Sequence, residues 1–395
     1  MNDTFCPLLF QHLATHPHGG VTHCCIADHR NALSSSRDDN RYYNLNRDTV
    51  QDTMNSLSFR KARLEVLDNK KPQACARCYV EESKGMASKR IEEIKNYPEY
   101  TLEVARNATD SDGYIKDVQL DFVELRLGNV CNVACRTCNP ASSSKWRNDY
   151  NELQKKTTFQ LTSYDTMEGF RWPEREGFWE DLLKHCDHVK TFYINGGEPT
   201  LIKQHFKFLE KLVEMGKTDI KLWYNINMTN MNDKVIDLWR KFDKVKVSCS
   251  IDDLGDRNHY IRYPTQWESV IKNFLRLKEE GFELDVTQTV SWMNYSTLGD
   301  FYNFFNREHG VHVHHNYVYD PDILSPAVLP KELRERIHNK FSNVFDKWKL
   351  DEFKNMFGNA DRKNKWQQAI EYTKNLDEIR KQDIKDYLPE FKEYF

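Results

Sequence analysis

The chain has 395 residues, 39% of them hydrophobic and 30% charged, with a formal net charge of −3. That length allows one large domain or two to three smaller ones around a real core, and the near-balanced charge argues against a nucleic-acid coat or a polybasic membrane binder. No apolar run reaches membrane-spanning length, and His and Pro interrupt the hydrophobics of Met1–Gly20, so a cytoplasmic protein without membrane or nucleic-acid partners is expected.

Residues 1–80 read as irregular, with short strands or turns near His16–Gly20 and a helix from about Asp48 to Asp68. Lys84–Tyr100 reads as a bridging helix. From Asp121 a regular alternation begins: strand Phe122–Leu127, a cysteine loop, helix Ser142–Lys155, then a turn-rich insertion over Thr157–Glu176. Strands follow at Val189–Asn195, Ile220–Asn227, Val245–Ile251, Glu283–Ser291 and Val311–Tyr319, with helices at Thr200–Met215, Asn232–Phe242, Thr265–Glu280 and Thr297–Glu308 between them. Six strands alternating with helices predict a parallel α/β fold, curled as a partial (β/α)6 barrel with its chemistry at the C-terminal strand ends. The expected organisation is an N-terminal cysteine-rich module over 1–100, the barrel over 118–325 and a helical C-terminal extension over 326–395.

Ten cysteines are many for an intracellular chain, and they cluster. Cys6, Cys24, Cys25, Cys75 and Cys78 precede the barrel, Cys131, Cys135 and Cys138 follow its first strand, and Cys186 and Cys249 stand alone as expected core thiols. Clustering without a secretory leader points to metal rather than disulfides. Three thiolates within eight residues can wrap one iron–sulfur cube and leave one iron open to a substrate; zinc would want four closed ligands.

The spacing C-x3-C-x2-C at Cys131, Cys135 and Cys138, placed after the first barrel strand, resembles the radical S-adenosylmethionine (SAM) superfamily. That resemblance implies a [4Fe–4S] cluster whose open iron is chelated by SAM. Reductive cleavage of SAM then yields methionine and a 5′-deoxyadenosyl radical that abstracts hydrogen from substrate. Thr137 departs from the aromatic residue often found before the last cysteine. Asn195-Gly-Gly-Glu-Pro199, after the second strand, is similar to the family's GGEP motif and implies SAM contacts from Gly196, Gly197 and Glu198. Asn230 after the third strand, Ser250 at the end of the fourth and Arg262 in His259-Tyr-Ile-Arg262 are implied contacts to SAM or substrate; an arginine can clamp a carboxylate in a bidentate fork. Asn294 and Tyr317–Tyr319 are pocket candidates by position. His312 and His314 share a strand face, but with no carboxylate or cysteine partner nearby a packed or pocket-lining role is expected for them and for His315.

Cys6-x12-Gly19-x4-Cys24, followed by Cys75-x2-Cys78, resembles the auxiliary-cluster region of SPASM/twitch proteins, here placed ahead of the barrel. The glycine allows a hairpin that returns the second cysteine to the first. The implied ligands of a second [4Fe–4S] cluster are Cys6, Cys24, Cys75 and Cys78, with Cys25 an alternative to Cys24 and zinc an alternative metal. The resemblance as a whole implies an oxygen-sensitive enzyme served by a flavodoxin- or ferredoxin-type electron donor and acting on a peptide or small metabolite. A glycyl-radical-enzyme activase and a non-catalytic iron–sulfur or zinc protein are the alternatives.

Overall fold

The computed structural model describes residues 3–28, 35–38, 41–162, 169–347, 350, 351, 353, 357 and 363–395. The chain divides into two compact units, one made of Met1–Val130, Met167–Tyr224 and Asp233–Val245, the other of Cys131–Thr166, Asn225–Asn232 and Lys246–Phe395.

In the first unit, strands β1 (His12–Thr15) and β2 (Val21–Thr22) form an antiparallel hairpin, and β3 (Arg37–Asp38) and β4 (Arg41–Tyr42) form a separate pair. Gly19 turns the first hairpin at φ +86°, and a Cβ there would lie 2.7 Å from Asn44 Oδ1. β5 (Phe122–Arg126), β6 (Thr191–Asn195) and β7 (Lys221–Ile226) pair in parallel, and β1 joins them alongside β5 with His12 opposite Phe122. That fourth partner is unexpected, because β1 is four residues long and buried throughout, so it shows no alternation. β6 and β7 do alternate: Phe192, Ile194, Leu222, Tyr224 and Ile226 are buried and their neighbours half-buried. Helix Lys203–Glu214 buries His205, Phe208, Leu209 and Leu212, a single stripe at helical spacing.

The helix expected over Asp48–Asp68 is two, Val50–Met54 and Leu57–Leu67. A capping box between Thr49 and Asp52 starts the first. The break falls at Asn55, whose side-chain oxygen accepts from Arg63 Nη1 (3.0 Å) and Ile115 N (2.9 Å). Arg63 is fully buried and also donates to the carbonyls of Leu9, Met54 and Gly113, so the kink satisfies a charge that a straight helix would leave unpaired. Helix Glu176–Leu183 begins where the stretch read as a turn-rich insertion ends and occupies residues for which no element was expected; 163–168 of the insertion fall outside the described residues.

In the second unit β8 (Lys244–Ser250), β9 (Glu283–Val290) and β10 (His312–Tyr317) pair in parallel, with helix Trp267–Glu279 between the first two in sequence. The fold is thus α/β with a mostly parallel sheet, the class and order of a partial (β/α)6 barrel. The stretch expected as helix Thr297–Glu308 is a short α-helix, Leu298–Tyr302, running into a π-helical turn over Asn303–Glu308. The C-terminal extension includes helices Lys331–Phe341 and Lys363–Arg380, and the latter packs on the helix Arg147–Lys156 that follows the cysteine loop. Trp146, Trp292 and Tyr295 are wholly buried in this unit's core, each such side chain contributing about 2–3 kcal/mol on burial.

Candidate active site

Cys131, Cys135 and Cys138 lie on an irregular loop whose backbone is tied down at nearly every step. Ala134 N donates to Tyr263 O (2.5 Å) and Arg136 N to Ile261 O (2.7 Å); Cys138 N closes a turn onto Cys135 O (2.9 Å). Trp146 Nε1 donates to Cys135 O (2.8 Å) and Ser143 Oγ to Val133 O (2.6 Å). A loop held this way presents its sulfurs without further ordering cost. Arg136 lies between two of the cysteines. Its side chain is buried, stacks 3.6 Å above the Tyr260 ring, and donates to Tyr260 O (2.9 Å), Asp377 and Gln382 Oε1 (3.0 Å).

Arg262 comes to the same place from the end of helix Gly255–Ile261. It is buried and pairs with Asp252 at 3.0 Å, and among the described residues its Nε meets no acceptor. Burial alone would lower this guanidinium, but Cys135, Asp252 and Cys138 together raise it above the ordinary arginine range. In return Cys135 is held below the ordinary thiol range, first by the hydrogen bond from Cys138 and then by the Arg262 charge acting against burial. A close thiol pair beside a buried cation fits an anionic iron–sulfur cluster. Asn227 was not singled out by sequence, yet its Nδ2 lies 3.9 Å from Cys131 Sγ and donates to Asn132 Oδ1 (2.8 Å). Its sequence signal is its place in Asn225-Ile-Asn-Met-Thr-Asn230, at the end of the third strand. Asn230 is half-buried, as is Ser250 at the end of β8. Asn294 serves the backbone, donating to Asp252 O (2.7 Å) and Thr289 O (3.0 Å), and Tyr319 is 60% exposed.

Gly196 and Gly197 extend β6 along the residues that lead into Cys131. Gly197 N donates to Gly128 O (3.1 Å) and Glu198 N to Val130 O (2.8 Å). A Cβ on Gly196, at φ +125°, would lie 2.4 Å from Leu127 N, and one on Gly197 would lie 2.3 Å from Val130 O. Both positions therefore demand glycine. The Glu198 carboxylate accepts from Thr200 N (3.1 Å) and Thr200 Oγ1 (2.6 Å), which fixes it at the start of the turn Pro199–Leu201.

Cys6, Cys24, Cys75 and Cys78 line one pocket with Lys89 and Arg90, whereas Cys25 does not line it. Cys75 and Cys78 sit one turn apart at the start of helix Ala76–Ser83, and the β1–β2 hairpin returns Cys24 toward Cys6. Burial drives all four thiols up, Cys6 to about 12, so thiolate needs a cation to form here. Burial, with Glu124 next to it, lifts Cys25 to about 11. All ten cysteines are unbridged; Cys186 and Cys249 are buried.

Residues 125–306 match the model of the radical SAM superfamily, and residues 6–79 match SPASM, an iron–sulfur cluster-binding domain. The chain is a member of the radical SAM superfamily. A [4Fe–4S] cluster, SAM and a second iron–sulfur cluster are the cofactors of its radical SAM domain and of the SPASM domain that precedes it in sequence. It is 23% identical over 165 residues to the GTP 3′,8-cyclase of Campylobacter lari, a match covering 42% of this chain and 44% of the cyclase, less than half its length. Among solved structures it is similar to anSMEcpe with bound AdoMet and Cp18Cys peptide (19% identity, 60% of this chain and 61% of that one, TM-score 0.37). It is also similar to Streptococcus suis SuiB bound to precursor peptide SuiA (13% identity, 84% and 68%, TM-score 0.35). No helix among the described residues is long and apolar enough to cross a membrane.

Proposed function

We propose that this radical SAM enzyme acts on a peptide or small metabolite in the cytoplasm, its first cluster held by Cys131, Cys135 and Cys138. The observation that carries the reading is the juxtaposition of Gly196–Gly197 with Gly128–Val130, immediately before Cys131. Packing that close leaves no room for a side chain at either glycine and fixes Glu198 against the start of the cysteine loop. Gly196, Gly197, Glu198, Asn230, Ser250 and Arg262 are the residues assigned to SAM. Arg262, cationic and with Nε open, supplies the carboxylate-binding charge. When bound, the cluster and SAM supply reductive C–S cleavage that initiates hydrogen abstraction from the substrate. The chain's own part is to fix the cysteine loop, through Trp146 on the Cys135 carbonyl and Tyr260 under Arg136, and to orient the ligand. Cys6, Cys24, Cys75 and Cys78 are assigned to the second cluster, in a pocket also lined by Lys89 and Arg90, which are ion-paired with Glu93 and Glu82. A flavodoxin- or ferredoxin-type donor delivers the electron.

The test is anaerobic reconstitution with iron, sulfide, dithionite and SAM. 5′-Deoxyadenosine should form from protein carrying about eight irons per chain. Fully loaded protein that forms none contradicts the reading.

A further inference from the structure

β8, β9 and β10 carry two unlike faces. On one, Val247, Cys249, Val286, Val290 and Val313 are buried, with helix Trp267–Glu279 and the turn Asn303–Glu308 packed on these strands. On the other, alternation places Lys246, Ser248, Asp285, Thr287, His312 and His314. Strands of a parallel sheet usually read as apolar on both faces. A face with no hydrocarbon side chain is built for a polar occupant, and Ser250, at the SAM end of β8, continues it.

The register makes a cluster on this face. Asp285 stands opposite Ser248 on one neighbour and His312 on the other. Its side chain is 4% exposed, and it reaches Lys246 Nζ at 2.8 Å and His314 Nε2 at 3.5 Å. His314 is 51% exposed, with the His312 ring edge-on at 4.3 Å. This corrects the expectation that these histidines lack a carboxylate: Asp285 is nearly thirty residues away in sequence and arrives only through strand pairing. A buried carboxylate 3.5 Å behind an exposed imidazole favours N–H at Nε2 toward the acid, with the lone pair at Nδ1 facing away. Burial, with His312 and Lys246 adding to it against the pull of Asp285, keeps His314 below the ordinary imidazole range.

The charges select the occupant. Lys246 is offset by Asp285 and lies 3.5 Å from Glu283, and with Lys244 on the same face of β8 the two lysines and two carboxylates balance. That balance offers phosphate no net positive charge and suits an uncharged hydrogen-bonding chain.

We propose that His314, oriented by Asp285, is the proton acceptor for a peptide segment lying on this face. The inference rests on the proposed radical SAM reaction and names its substrate side. In the step, a substrate N–H or O–H bond breaks, its electron pair stays on the substrate atom, and an Nδ1–H bond forms on His314. No oxidant or reductant enters. The resulting imidazolium faces Asp285 and returns its proton to water through its exposed edge.

The test incubates reconstituted holoenzyme, dithionite and SAM with a mixture of random octapeptides or with GTP, and measures modified product and 5′-deoxyadenosine by mass spectrometry. Wild type should modify peptides and leave GTP unchanged. In His314→Gln the ratio of modified peptide to 5′-deoxyadenosine should fall by about 10²-fold or more, and Asp285→Asn should lower it in the same direction. The proposal is overturned if the ratio is unchanged in His314→Gln, if GTP alone is modified, or if wild type forms 5′-deoxyadenosine and modifies no peptide. Wild type forming no 5′-deoxyadenosine instead defeats the radical SAM reading on which the proposal rests.

Discussion

Arg136, set between the second and third cysteines of the SAM-cluster loop, is held by Asp377 on the C-terminal helix 241 residues away. Asp377 also accepts from Tyr260 Oη (3.0 Å) and Ile384 N (2.9 Å), so one carboxylate ties the loop, the segment behind it and the end of the chain. Arg380, one turn on, lies 4.5 Å above Trp146, whose indole holds the Cys135 carbonyl. The C-terminal helix thus braces the loop from beneath.

Asp377→Ala leaves a buried guanidinium without its counter-charge, a change expected to cost about 3–5 kcal/mol. Loosening falls first on the loop that Arg136 anchors. Iron analysis should show the SAM cluster depleted while the N-terminal cluster stays loaded, together with a lower unfolding midpoint. Equal loss of both clusters would show that the brace is not local.

Two glycines give a contrast in one measurement. Gly197→Ala drives a methyl into Val130 O and should abolish detectable SAM binding by equilibrium dialysis. Gly177→Ala, whose Cβ would meet nothing nearer than 3.8 Å, should leave SAM binding unchanged and stabilise its helix by about 0.4–1 kcal/mol. Equal SAM affinity in both variants would remove Gly197 from the site.

The local motifs were the legible part of this chain. C-x3-C-x2-C and GGEP are read within a few residues, and the alternation of β6 and β7 with the Phe208–Leu212 stripe places them on a parallel sheet. What was not legible depends on distant partners. Asp377 and Arg136 have no pattern in common, and Asp285 meets His314 only once β9 and β10 are in register. β1 is too short and too fully buried to show a period, and the break at Asn55 exists to satisfy Arg63, which sequence presents as one more basic residue on a helix. The helix Glu176–Leu183 was hidden by the Gly and Pro around it.

The Cys24/Cys25 ambiguity yields a direct comparison. Cys24 shares the pocket with Cys6, Cys75 and Cys78, and Cys25 lies beside Glu124. Cys24→Ser should lose the second cluster, about four irons per chain, while Cys25→Ser keeps it. The reverse pattern in iron content would exchange their roles.

Acid should weaken the first unit. Burial holds His12 neutral, lowered from 6.5 to about 3, and His205 likewise to about 4. In the unfolded chain both protonate near 6.5, so between about pH 6.5 and 4 the unfolded state binds more protons and stability rises with pH. Their contribution is fully present above pH 6.5 and declines as pH falls, by about 1.4 kcal/mol per pH unit for each histidine. Urea unfolding of His205→Gln should show a shallower decline between pH 7 and 5 than wild type; an identical slope would contradict it.

The central claim is that Cys131, Cys135 and Cys138 hold the cluster that cleaves SAM. Its most direct test is 5′-deoxyadenosine production by the Cys131→Ala/Cys135→Ala/Cys138→Ala variant, reconstituted beside wild type under dithionite. The variant should retain about four irons in the N-terminal domain and form no 5′-deoxyadenosine, while wild type forms it. Turnover by the triple variant at the wild-type rate would contradict the assignment.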